Sequence, residues 1–245
     1  MKIAIILITI FLLATTASAA LTDGLVAYYP FDEGSGTVAA DYSGNANNAT
    51  LVNGPAWVSG KIGSGALDFD GQNALVDAGS AQTLNNLPAF SISVWVYGKG
   101  YGQSGQGYII NKSNLGNVGW RLSYLSSGNS LKFSVDYDST DLTVQATNLS
   151  GTFYDWTHWA VTWGGSSNAS DVHIYKNGEE VIYGIRTSAV GSRVNDSAQN
   201  MIIGNSANPR AFDGSIDDVR VYNRSLSSSE ILGLYASAAL LCHRL

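Results

Sequence analysis

Apolar residues along this chain recur with the two-residue period of β-strands. In residues 90–97 (FSISVWVY), Phe90, Ile92, Val94 and Val96 fall on one side, and Ser91, Ser93, Trp95 and Tyr97 on the other. Residues 156–163 behave alike: Trp159, Val161 and Trp163 share one face, His158, Ala160 and Thr162 the other. Further β-runs lie at 25–31, 66–69, 74–77, 108–111, 120–124, 131–137, 142–146, 172–175, 180–183, 200–204 and 216–222. Asn177-Gly178 predicts a hairpin between two of them, and Asp70-Gly71 predicts another joining 66–69 to 74–77. Asp213-Gly214 predicts a turn before the last strand. Asp217-Asp218 interrupts that strand's apolar pattern, which predicts a β-bulge or a cation beside two repelling carboxylates. Ser227 with Glu230 fits a capping box, and Ile231, Leu234 and Tyr235 follow at helical spacing, so a short helix is expected over 228–235. The predicted core contains Phe90, Ile92, Val94, Trp159, Val161, Ile216 and Val219.

Regular strands with frequent turn signals, and no helical period before Ser227, indicate an all-β sandwich or barrel. The closing stretch FDGSIDDVRVYNRSLSSSEILGLY (212–235) resembles the end of LamG-like jelly-roll domains, in the concanavalin A-like lectin/glucanase superfamily. Residues 25–51, 60–71, 90–97, 155–163 and 173–181 resemble the same family in the same order. The resemblance implies an antiparallel two-sheet jelly-roll sandwich, with the first and last strands adjacent and a short C-terminal helix. It assigns the jelly-roll domain to 20–236 and leaves the tail 237–245 unlike the family.

Composition refines this picture. Lys2, the apolar run 3–13 and Ala17-Ser18-Ala19 have the form of a signal peptide over 1–19, so a secreted or cell-surface protein is expected. Eleven or so apolar residues are too few for a bilayer span, which takes about 20, and no membrane insertion of the mature chain is expected. The single cysteine, Cys242, precludes an internal disulfide. A formal charge of −6 without a Lys/Arg cluster argues against a nucleic-acid partner.

Catalytic constellations are sparse. Glycoside hydrolysis needs two carboxyl groups flanking the scissile bond, and the family's glucanases carry E-x-D-x-x-E. The chain has Glu33, Glu179, Glu180 and Glu230 as its glutamates, and that motif is absent. Asp68 and Asp70 can share a strand face but abut a turn. The histidines are His158, His173 and His243; His158 sits among tryptophans and reads as a hydrogen-bonded interior residue. A glycoside hydrolase or polysaccharide lyase is therefore the rival reading, and no catalytic residue is assigned.

Binding chemistry is better represented. Calcium takes six to eight oxygen ligands. Asp41, Asn45 and Asn47 lie in one polar loop, and the resemblance implies that this loop sits near the last strand, where Asp217 adds a second carboxylate. A structural Ca²⁺ held by Asp41, Asn45, Asn47 and Asp217 is the expectation. Sugar recognition uses aromatic faces with hydrogen-bonding neighbours; Trp120, Arg121 and Tyr101 are the candidates. N-x-[ST] sequons make Asn48, Asn111, Asn148, Asn168, Asn195 and Asn223 glycosylation candidates. The function expected is a non-catalytic lectin-like domain for a polysaccharide, glycoconjugate or surface ligand. An adhesive or structural protein with a surface-protein partner is the other alternative.

Overall fold

The computed structural model describes residues 21–114, 118–147, 149, 152–205 and 210–241. The expected signal peptide, Asn148, Cys242 and His243 lie outside them. In chain order the strands begin with β1 (Leu25–Tyr29), β2 (Val38–Ala39), β3 (Ala49–Val52), β4 (Ala56–Val58), β5 (Ala66–Asp70) and β6 (Leu75–Asp77). They continue with β7 (Phe90–Gly98), β8 (Gln106–Asn114), β9 (Val118–Leu125), β10 (Ser130–Val135), β11 (Leu142–Thr147) and β12 (Thr157–Trp163). Last come β13 (Val172–Lys176), β14 (Glu179–Glu180), β15 (Tyr183–Thr187), β16 (Ile202–Ile203) and β17 (Asp213–Tyr222), before helix α1 (Ser228–Leu241).

Two antiparallel sheets result. One has eight strands in the order β14-β13-β12-β7-β17-β5-β4, with β1 also paired to β17; the other has nine, β15-β11-β10-β9-β8-β16-β6-β3-β2. The alternation read from the sequence decides which side chains meet between them. Phe90, Ile92, Val94, Trp159, Val161, Ile216 and Val219 are all buried in the shared core. From the facing sheet come Trp120, Leu122, Tyr124, Leu131, Phe133 and Val135. Phe90 touches Trp120, Phe133 and Trp163 at ring separations of 5.0, 5.8 and 5.3 Å, edge-on or tilted as aromatic quadrupoles favour. The architecture is the expected jelly-roll sandwich.

Strand β17 is the hinge of the arrangement. Its first half pairs with β5 and its second half with β1, while β7 runs along its other side. The register to β7 breaks between Asp217 and Arg220, and Asp218 takes φ 49°. This is the bulge that the paired aspartates predicted.

Two turn expectations need correction. Asp70-Gly71 does not close a hairpin. β5 pairs with β4 and β17, whereas β6 pairs with β3 and β16, so this turn carries the chain from one sheet to the other. Asp213-Gly214 is not a turn either, since both residues lie within β17. Glycine is needed at 214 because φ is 140° and a Cβ there would come 2.1 Å from the Tyr97 carbonyl oxygen. Asn177-Gly178 does turn the hairpin β13–β14, with φ of 53° and 83°.

Helix α1 is longer than predicted and reaches Leu241. The capping box forms: Ser227 Oγ accepts from Glu230 N–H at 3.3 Å, and Glu230 Oε2 accepts from Ser227 N–H at 2.8 Å. A hydrogen bond from Arg224 is the main cause that pulls the Glu230 carboxyl down to about 2. Ile231 and Leu234 pack with Ala160, Tyr175, Tyr222 and Leu226 on the outer face of the eight-stranded sheet. Among the described residues no helix is long and apolar enough to cross a membrane. Ser227→Ala should cost about 1 kcal/mol, as lost N-caps do, measured as a lower denaturant midpoint with an unchanged slope.

Candidate functional site

Helix α1 covers only part of the sheet face on which it lies. Tyr235 stacks on Trp95 at 5.8 Å and approaches His158 at 6.0 Å, and Lys61 Nζ lies 5.3 Å from the Trp95 ring centroid. Trp95 thus sits 3 % exposed beneath helix and loop. Beside it Asp217 Oδ2 accepts two backbone N–H bonds, from Lys61 and Ile62, at 2.7 and 2.8 Å. Burial, reinforced by Asp218, pushes the Asp217 carboxyl up to about 7. His158 shares its Nε2 with Ser93 Oγ at 2.8 Å, and burial pushes the imidazole down to about 3, with Arg220 adding to the effect. It is the interior histidine that the sequence indicated.

Two residues further along the strands, the same face is part-exposed at Asp68, Tyr97 and Trp156, with Ser215 buried among them. Asp68 pairs with Ser215, Ser215 with Tyr97, and Trp156 directly precedes Thr157, the partner of Val96. Tyr97 and Trp156 are in ring contact at 5.8 Å, and both are part-exposed. The register therefore lines up carboxylate, hydroxyl, phenol and indole across four neighbouring strand positions. Lys99 Nζ donates to both Asp68 oxygens at 2.9 and 3.0 Å, and Ser215 Oγ donates to Asp68 Oδ1 at 2.8 Å. Tyr154, 68 % exposed with φ 62°, is held at this corner by its N–H to the Gly98 carbonyl. Aromatic faces beside paired hydrogen-bonding groups suit hydroxylated rings. Of this row the sequence singled out only Asp68, and as a weak hydrolase candidate. The signal for the rest is the outward alternation of Tyr97, visible in residues 90–97.

The sequence-predicted ligand residues are dispersed. Trp120 is a correction: adjacent strand residues point to opposite faces, so Trp120 turns into the core, 1 % exposed, while Arg121 turns out. Arg121 pairs with Asp136 at 2.7 Å and Asp141 at 3.7 Å on the outer face of the nine-stranded sheet. Tyr101 packs on Phe153 at 4.8 Å and donates its hydroxyl to Asn129, so it serves a loop joint. Of the glycosylation candidates, Asn48, Asn168, Asn195 and Asn223 are exposed. Asn111 is corrected: its side chain is buried and its amide donates to the Asn205 carbonyl.

The calcium expectation meets a full set of protein donors. Asp41 Oδ1 accepts from Tyr28 N–H and Ser43 N–H, and Oδ2 from Ser43 Oγ–H and Asn47 N–H, all at 2.8 to 2.9 Å. Those four bonds match the roughly four lone-pair sites of a carboxylate. Asn45 and Asn47 turn their amide N–H groups to the Val26 carbonyl. Asp217 is bound instead by residues 61 and 62 and shares no donor with this loop. The structure thus gathers Asp41, Asn45 and Asn47 in one hydrogen-bonded loop and gives Asp217 hydrogen-bond partners outside it.

Carboxyl chemistry is equally committed elsewhere. Although partial burial opposes it, backbone N–H groups of Gln72, Ala74 and Asn73 hold the Asp70 carboxyl below its usual range, opposite to what a general acid needs. A cavity of about 490 Å³ opens between the sheets near Trp159, Lys176, Glu179 and Glu180. Burial works against ionisation of Glu180, but hydrogen bonds from His173 and Tyr183 outweigh it and lower its pKa. Neither carboxyl is poised to give up a proton to a leaving group.

The Laminin_G_3 family profile, described as the concanavalin A-like lectin/glucanases superfamily, matches residues 70–232. The chain belongs to this superfamily. Among curated proteins, none matches it. Three similar solved structures are instructive. The binding domain of Paraclostridial Mosquitocidal Protein 1 is 18% identical, with TM-score 0.69, over 89% of this chain and 53% of that one. A botulinum neurotoxin type C structure, described as dependent for cell entry on interaction with two ganglioside molecules, is 16% identical with TM-score 0.67, over 90% of this chain and 53% of that one. Domain 4 of AbnA, a GH43 extracellular arabinanase from Geobacillus stearothermophilus, was solved with arabinotriose. It is 21% identical with TM-score 0.58, over 86% of this chain and 98% of that one. The chain spans about half the length of the toxin structures. At these identities the likeness shows the lectin-like fold.

The buried histidine gives a measurable signature. A group whose folded pKa of about 3 lies below the ordinary 6.5 stabilises the fold fully above pH 6.5 and loses that contribution as pH falls towards 3. The groups facing it are Ser93, Trp95, Tyr235 and Arg220. His158→Gln should therefore flatten the acid limb of a stability–pH curve, measured by urea midpoints between about pH 4 and 8.

Proposed function

We propose that this protein is an exported, non-catalytic glycan-binding domain that uses the open row on its eight-stranded sheet. The observation that carries this reading is the register-fixed alignment of Asp68, Ser215, Tyr97 and Trp156, with Lys99 on Asp68. Two aromatic side chains offer π-faces to the C–H side of a sugar ring. The carboxylate and ammonium offer acceptors and donors to its hydroxyls. Solved structures of similar fold, one in complex with arabinotriose and one described as entering cells through gangliosides, support a carbohydrate ligand. The form of residues 1–19 supports export.

The test is a glycan array probed with the full chain, with Ca²⁺ and with EDTA, followed by titration of the best glycan. Trp156→Ala should weaken binding by about tenfold or more, roughly 1.4 kcal/mol. Because the Asp41 loop is closed by its own hydrogen bonds, binding should be the same in EDTA. Array-wide silence, or turnover of any glycan by the protein, would overturn the reading.

A further inference from the structure

Resting on the glycan-binding reading, we infer that the row takes a linear, uncharged oligosaccharide of about three residues, laid across the strands rather than along them. Geometry sets the length. From Asp68 on β5 to Trp156 at the start of β12 there are three strand-to-strand steps, by way of β17 and β7. At about 4.8 Å each they span about 14 Å, the length of about three sugar units.

Direction follows from what bounds the row. On one side Lys61 and Tyr235 roof Trp95, so a ligand running along β7 meets the helix. On the other side Asp70 pairs with Asp213, which puts two more carboxylates beside Asp68. The transverse path runs between these flanks, with the indole at one end and the Asp68–Lys99 pair at the other.

Charge sets the class. Lys99 neutralises Asp68, and Asp70 and Asp213 add negative charge beside them, so a uronate or sulfated sugar approaches against like charge. Hydroxyls do not. An ammonium has three donors and a carboxylate about four acceptor sites. The three bonds among Lys99, Asp68 and Ser215 leave capacity on both groups for neighbouring hydroxyls.

Calorimetric titration of the full chain with arabino-, xylo- and cello-oligosaccharides from one to about six residues, and with oligogalacturonides, tests this. In the series that binds best, affinity should rise by about tenfold or more from monomer to trimer, then level off. The acidic series should bind at least about tenfold more weakly. Asp68→Asn, a surface change that leaves both rings in place, should weaken trimer binding by about tenfold. Trp156→Tyr should keep the dependence on chain length at reduced affinity. If Trp156→Ala abolishes binding but monomer and trimer bind alike, or the acidic series binds better, this inference falls and the glycan-binding reading stands. If no oligosaccharide binds in titration or on the array, the reading itself falls.

Discussion

One strand has to satisfy three neighbours. β17 pairs along one side with β7 and along the other with β5 and then β1. Where the partner on one side changes from β5 to β1, the bulge at Asp217–Asp218 breaks the register to β7 on the other side and re-aims the strand. The two carboxylates then leave in different directions. Asp217 reaches back to the amides of residues 61 and 62. Asp218 accepts from Arg220, whose guanidinium lies 4.3 Å from the Tyr28 ring centroid. Separate partners thus divide the two carboxylates, although Asp218 still adds to the upward push on Asp217. A cation is one solution to adjacent carboxylates; backbone amides on one and an arginine on the other are the solution found here.

The same strand explains why the open row exists. Residues 60–65 are held by carboxylates at both ends, Asp217 on Lys61 and Ile62, and Asp32 on Ser64 and Gly65. That loop, with Tyr235 of α1, closes the sheet face over Trp95. The next row of side chains projects past the edge of this cover. Trp95 and Tyr97 belong to one strand face, two residues apart, yet one is roofed and the other accessible. The cover, rather than the strand, separates a buried tryptophan from a part-exposed tyrosine.

Strand faces were legible because alternation is local. Phe90, Ile92 and Val94, or Trp159 and Val161, could be assigned inward from their own segments alone. The capping box at Ser227 and Glu230 was legible for the same reason. What failed depended on partners. Asp70-Gly71 looks like a hairpin turn, but whether flanking strands pair with each other is decided by the competing edges of β17 and β16. Trp120 and Arg121 looked like one patch, although neighbouring strand residues cannot share a face. The row Asp68–Ser215–Tyr97–Trp156 draws on four distant segments and is created by register alone. No window of sequence contains it.

The register also sets the environment of each carboxylate in this sandwich. A catalytic acid needs an environment that favours its protonated form while remaining open to substrate. Asp70, at the open row, is stabilised as the anion by turn amides. Glu180, at the mouth of the cavity, is stabilised as the anion by His173 and Tyr183. The carboxyls pushed upward by burial, Asp217 and Asp136, are both fully buried, Asp217 beside Trp95 and the loop amides and Asp136 against Arg121. Exposure and a raised pKa therefore fall on different residues. Uncovering Asp217 would require lifting residues 61 and 62, which its own hydrogen bonds fasten down, so the arrangement that secures this loop also keeps the carboxyl away from solvent.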